Sequence, residues 1–322
     1  MDIKQLGTFI HVAKSGSLSK AAGKLHVAQP ALSRQISMLE NDLRIRLFTR
    51  HGRGMKLTEA GELLLARAQS ILSQIEDTRT DLLSLESTVH GQVRLGLPPT
   101  VGDVLAAPLI EKFRLRFPAV TFKVVPAFSG YLVDLLHQGD IDLAILYGVE
   151  RGLNLDFVPL VEERLYLVGP GSAGFSRQVS VSLACVARHN LVLPSAAHGL
   201  RVLIDNEARR RNIALTVPIE VDALQTLKDL VKRNVGFTIL PLAAVHREVA
   251  EGVLTAGPIS DPALLRTLVL ASPSWNSWSK ATRIFADMLL AEIYEMAMAR
   301  ILDGRILATR LRAERDPSRL GT

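Results

Sequence analysis

The chain has 322 residues, 48% of them hydrophobic, and a net charge of +6. A single cysteine, Cys185, excludes a disulfide framework within the chain, and no run of about 18 apolar residues offers a membrane span. Residues 1–60 hold ten Lys and Arg against four acids, while the other 262 residues balance at twenty-eight of each; charge gathered in one segment is the footprint of a nucleic-acid partner.

The opening MDIKQLGTFIHVAKSG is amphipathic and lacks the apolar core of a signal peptide, so a soluble, cytoplasmic protein is expected. Leu6, Phe9, Ile10 and Ala13 give residues 3–14 one apolar helical face. The next stretch, SLSKAAGKLHVAQPALSRQISMLENDL, predicts two helices joined by a tight turn at His26-Val27-Ala28. Ser17 is a suitable N-cap, and Pro30 suits a helix start because its missing N–H costs nothing there. Leu32, Ile36, Leu39 and Leu43 form a buried stripe. The opposite face carries Gln29, Ser33, Arg34 and Ser37, donors and acceptors suited to base edges and phosphates. In residues 47–57 two glycines within a basic run predict a hairpin with Arg50, Arg53 and Lys56 at its tip. An arginine there can enter the minor groove. An ordinary helical hairpin followed by a solvated basic loop would give the same pattern.

Residues 1–61 resemble the winged helix-turn-helix domain of the LysR-type transcriptional regulators. The matching residues are Phe9, the SGSLSKAA run, Leu25-His26-Val27-Ala28-Gln29-Pro30-Ala31-Leu32-Ser33, Ile36, Leu39-Glu40, Leu47-Phe48, Arg50 and Leu57-Thr58-Glu59-Ala60-Gly61. The resemblance implies DNA contacts from Ser17, Gln29, Pro30, Ala31, Ser33, Arg34, Arg50 and Arg53.

From Thr58 an apolar seam runs through Leu64, Ala68, Ile71, Ile75, Thr78, Leu82, Leu85 and Val89, alternating four and three. That heptad pattern predicts a stalk pairing with a second copy, and a two-fold dimer needs a target with two half-sites. Gly91 ends the helix. Strand and helix patterns then alternate: a strand at 92–97, a helix at 104–117, a strand at 120–126, a helix at 131–138 and a buried strand at 141–146. A second run starts near 165–169 and continues to a late strand at 266–271 and a helix at about 276–298. This predicts an α/β region with a parallel sheet. The resemblance continues more loosely to roughly residue 297. It implies two lobes with two crossovers, similar to periplasmic binding proteins.

The expected organisation is therefore a multidomain α/β chain. It has a winged helix-turn-helix over 1–58, a linker and dimerisation helix over 59–90, and an effector domain over 91–297. Lobe one covers 91–163 and 267–297, and lobe two covers 164–266. A basic extension, 298–322, follows with six arginines and partial helical periodicity. Ligands bind at the carboxyl ends of strands in such folds. The loops expected there supply Pro98, Thr100, Val101, Phe128, Ser129, Gly130, Tyr147, His198, Phe237 and Thr238, with Arg201 close by. Hydroxyls, helix starts and aromatic rings suit a small organic anion, such as an aromatic acid. No cofactor or metal site is expected: the eight histidines lack ligand spacing, and no phosphate loop or G-x-S-x-G elbow occurs. The partners implied are promoter DNA, a small effector, RNA polymerase and further copies of the chain, the resemblance implying a dimer of dimers. A soluble small-molecule-binding or enzymatic α/β protein with an incidental helical head is the alternative.

Overall fold

The structure, a computed structural model, describes residues 1–51, 54–83, 89–148 and 153–308. Three helices, α1 (Ile3–Ser15), α2 (Leu18–Leu25) and α3 (Gln29–Leu43), precede an antiparallel hairpin of β1 (Phe48–His51) and β2 (Gly54–Leu57). Asp2 and Gln5 form a capping box on α1, Ser17 caps α2, and His26 ends α2 in the left-handed region at φ 52°. Phe9, Val12, Ala21, Leu32, Ile36, Leu39 and Leu47 close the small core.

The long helix α4 (Glu59–Leu83) leaves this head. Here the expected seam divides. Ala68 belongs to the head's own core with 0% of its surface exposed and is not free to meet a second stalk, while Leu64 packs against that core and stays half-buried. Heptad spacing marks an apolar line but not the side from which its partner comes. Ile71 and Leu82 are exposed, Ile75 is half-buried, and Leu85 lies outside the described residues.

The first lobe opens with β3 (Gly91–Leu97), α5 (Pro99–Arg116), β4 (Val120–Pro126), α6 (Ser129–His137) and β5 (Leu143–Tyr147), with β4, β3 and β5 parallel. The strand β6 (Asp156–Pro170) then carries the chain into the second lobe. There β7 (Val181–Ser182), α7 (Leu183–Val186), β8 (Asn190–Leu193), α8 (Gly199–Arg210), β9 (Thr216–Glu220), α9 (Leu224–Lys232), β10 (Thr238–Pro241), α10 (Leu242–Ala250) and β11 (Leu254–Ser260) follow. The chain returns along β12 (Leu265–Ser272) to α11 (Lys280–Met298) and β13 (Gly304–Ile306).

The sheet is mixed, not parallel as the β–α alternation suggests. β6 runs out of the first lobe and β12 runs back, so the two must pair antiparallel; they do so from Asp156↔Ser272 to Arg164↔Leu265. β10 and β11 also flank β6 antiparallel in the second lobe. Leu105, Leu109, Phe113, Phe285 and Leu289 fill one face of the first sheet, and Leu132, Leu136 and Phe157 the other. Leu167, Leu193, Ile204, Leu227 and Ile239 form the second lobe's core.

Beyond α11 the chain does not stay helical. Leu302 is buried in the first lobe's core, and β13 pairs with β6 through Gly304↔Glu163 and Ile306↔Val161. A Cβ on Gly304 would lie 2.3 Å from the Glu162 carbonyl oxygen, so only glycine fits. The Tyr166 hydroxyl, from the second lobe, bonds the Asp303 carboxylate, and an Arg177 Nη donates to the Arg300 carbonyl at 3.3 Å. Residues 299–308 thus strap both lobes across the crossover.

Candidate functional sites in the head and between the lobes

In the head, Gln29, Pro30 and Arg34 stand exposed on α3, with Ala31, Ser33 and Ser37 half-buried beside them. The half-buried Ser17 hydroxyl oxygen accepts from the Lys20 N–H at 3.4 Å. A concavity of about 510 Å³ separates α3 from the hairpin, lined among others by Ser33, Ser37, Arg46 and Thr49. Arg46 lines it, and Lys20, Lys24 and Lys56 are also exposed on the head. Of Arg50 only the backbone is described, and Arg53 lies outside the described residues.

Two devices fix the hairpin relative to α3. Glu40, buried on α3, accepts from the N–H groups of Leu47 at 2.8 Å and Phe48 at 3.2 Å, and from Arg46 at 2.8 Å. The Met55 N–H donates to the Gly16 carbonyl at 2.9 Å, a close approach that a Cβ on Gly54 would block at 2.5 Å. Sequence pattern marks Glu40 only as part of a family block; an acid beside the apolar stripe of α3 is the one signal of its role.

Between the lobes, the expected ligand residues separate into two groups. Thr100, Phe128, Ser129, Tyr147 and His198 converge. The Thr100 and Tyr147 hydroxyls are 2.8 Å apart, and Ser129 Oγ accepts from the Tyr147 N–H at 2.9 Å. Phe128, from the first lobe, meets His198, from the second, edge to face at 4.4 Å between ring centres. Gly130 is exposed in the first turn of α6.

The others do not join them. α5 begins at Pro99 because proline suits a first turn, so Pro98 to Val101 is not a loop. Pro98 is buried as its cap residue, and Val101 is core at 0% exposure. Phe237 precedes β10 and Thr238 opens it at its far end, opposite Val168 and several residues from the crossover at Arg164. Phe237 stacks on His189 at 4.1 Å and Thr238 is fully buried. Their distance from the cleft follows from the strand's direction, which depends on the crossover. Arg201 is occupied by Asp205, Glu220 and the Pro194 carbonyl.

Sequence pattern does not reveal the buried ion pair beside Thr100 and Tyr147. Arg266 on β12 and Glu163 on β6, paired across the two crossover strands, are 6% and 1% exposed and form an ion pair through Nε. The guanidinium carbon sits 3.5 Å from the centre of the Tyr147 ring, and Nη2 is 3.5 Å from Thr100 Oγ1. Burial pushes the Tyr147 hydroxyl well above the ordinary tyrosine range. Burial raises the Glu163 carboxyl too, with Arg266 opposing. Burial and then the charge of Arg266 push the His198 imidazole down, so it is neutral at pH 7. Nothing in sequence spacing joins residues 103 positions apart.

A model of the bacterial regulatory helix-turn-helix protein, lysR family, matches residues 3–62, and one of the LysR substrate binding domain matches residues 86–293. The chain belongs to the LysR family. This LysR-family regulator is 30% identical to the HTH-type transcriptional regulator BbuR of Bordetella bronchiseptica over 297 residues, covering 92% of this chain and 91% of that one. It is 31% identical to the nitrogen assimilation regulatory protein nac of Klebsiella aerogenes, covering 90% and 95%. Full-length OxyR from Pseudomonas aeruginosa shares the fold with a TM-score of 0.70 at 24% identity, covering 95% and 98%. ArgP from Mycobacterium tuberculosis does so with 0.72 at 20% identity, covering 91% and 97%. The regulator is thus a DNA-binding transcriptional regulator with an effector-binding domain, and the two-lobed fold expected from the resemblance is the one observed. Among the described residues no helix is long and apolar enough to cross a membrane.

Proposed function

We propose that this regulator reads two half-sites of promoter DNA as a dimer, assembled into a tetramer in the cytoplasm, under control of a small organic anion bound between its lobes. Gln29, Pro30 and Ser33 face bases, Arg34 reaches a base or phosphate, and Arg50 and Arg53 serve the minor groove. The exposed line of α4, with Ile71 and Leu82 and half-buried Ile75, carries self-association. Ligand binding shifts the lobes, α4 passes that shift to the spacing of the recognition helices, and DNA bend and polymerase contact change.

The observation that carries this reading is the head itself. An outward polar edge on α3 is held beside a basic hairpin by Glu40 in a segment with all of the chain's net charge. Footprinting upstream of the protein's own gene and its neighbours, at fixed salt and with candidate carboxylates, tests it. A protected site with two half-sites, altered by a carboxylate, is expected. Equal affinity for promoter and random DNA would overturn it.

A further inference from the structure

The geometry points to Arg266 as the anchor of the effector: a ligand carboxylate takes its end-on edge, and Glu163 is the internal anion that holds the arginine ready. This rests on the proposal that the cleft binds an organic anion. It adds which side chain makes the charge contact and why the ligand is a carboxylate.

Buried arginine–carboxylate pairs frequently meet through two parallel N–H groups. Here Glu163 takes Nε. Among the described residues the rest of the fork has one long contact, 3.5 Å from Nη2 to Thr100 Oγ1. The pair is nearly fully buried, and burying charges costs more than an imperfect pair returns, so fold stability alone is a poor reason for it. Stacking on Tyr147 fixes the plane of the guanidinium. The Nη1–Nη2 edge of a fixed planar cation matches a carboxylate in two parallel bonds.

The surroundings suit the same ligand. Ser129 Oγ accepts from the Tyr147 N–H, so its own proton is free to donate. His198 Nδ1 accepts from the Leu200 N–H at 3.1 Å, which leaves the proton of the neutral ring on Nε2. Phe128 and His198, one from each lobe and packed edge to face, give the organic body an aromatic wall that spans both lobes. A ligand held there touches both lobes and both crossover strands, since Arg266 and Glu163 sit one residue from the last pair, Arg164↔Leu265.

The test uses the full-length protein, with thermal unfolding and titration calorimetry. The probes are benzoate, salicylate and propionate, each beside its neutral amide. At least one acid should raise Tm while its amide does not. The variant E163Q/R266Q keeps a hydrogen-bonded pair of similar shape without charge, and should bind that acid at least about tenfold more weakly. The variant E163Q, freed of the competing carboxylate, should bind it about tenfold more tightly. Arg266→Lys keeps the charge but loses the fork and should weaken binding even if the double variant does not fold. Acid and amide acting alike, or wild-type affinity in folded R266K, would overturn the anchor. If the shift survives at Arg266 variants but vanishes in Phe128→Ala, the cleft stands and the anchor falls. No shift from any probe sinks both.

Discussion

Replacing Glu40 separates a head that only folds from one that presents its hairpin to DNA. Glu40 is 7% exposed, and its Oε1 receives two backbone N–H groups at 2.8 and 3.2 Å from residues entering β1. Glu40→Ala leaves both donors buried without a partner, at about 1–3 kcal/mol each. The Arg46 contact adds little, because Arg46 is 79% exposed. The total is about 2–6 kcal/mol, concentrated where the hairpin joins α3. Glu40→Gln keeps the amide oxygen as acceptor and loses only the charge assistance, roughly half of each bond, or about 1 kcal/mol in all. Hydrogen exchange at the Leu47 and Phe48 amides reads this locally, and retardation of promoter DNA reads its consequence. In Glu40→Ala both amides should exchange faster and specific affinity should fall; Glu40→Gln should lie near wild type. Unchanged protection and unchanged DNA affinity in Glu40→Ala would refute the claim that this carboxylate sets the hairpin.

Further outcomes rest on the same geometry. Ser33→Ala and Arg34→Ala should each cost about 1–3 kcal/mol of discrimination between the promoter and a mutated half-site; an equal drop for random DNA would remove their base-reading role. Lys20→Ala or Lys56→Ala should weaken all DNA alike and lower the slope of log affinity against log salt by about one for each phosphate no longer neutralised. Ile71→Glu with Leu82→Glu should lower the mass seen by analytical ultracentrifugation, since both side chains are exposed on the stalk; an unchanged assembly places the interface elsewhere. Gly304→Ala should detach the strap, because the new Cβ would lie 2.3 Å from a backbone oxygen, and limited proteolysis after α11 should accelerate.

The head is legible in the sequence because its signals are local. Ser17, the turn at His26 and the stripe from Leu32 to Leu39 all act within a few residues of one another, and each appears where its chemistry requires. The stalk is half legible: an apolar line shows that something packs, but Ala68 meets its own head rather than a second chain. The lobes are visible as alternation, yet the direction of β6 and β12 depends on where the chain crosses. That is why pattern alone puts Phe237 and Thr238 at the wrong end of a strand. Arg266 and Glu163 leave no trace, since the pair joins two strands 103 positions apart and Glu163 reads as one charge in the run Glu162-Glu163-Arg164. The tail's partial helical periodicity suggests a frayed helix, while Gly304 and Asp303 hold a short strand there instead.

That strand has a practical meaning for anyone who modifies this protein. Arg266, Glu163 and Gly304 occupy one rung of three neighbouring backbones, so the strand after α11 and the proposed anchor share a peptide row. A substitution within residues 303–306 that shifts this strand would move that rung through densely packed neighbours that yield little. If Arg266 anchors the effector as proposed, sensitivity to it is set in part by a strand that the effector never touches.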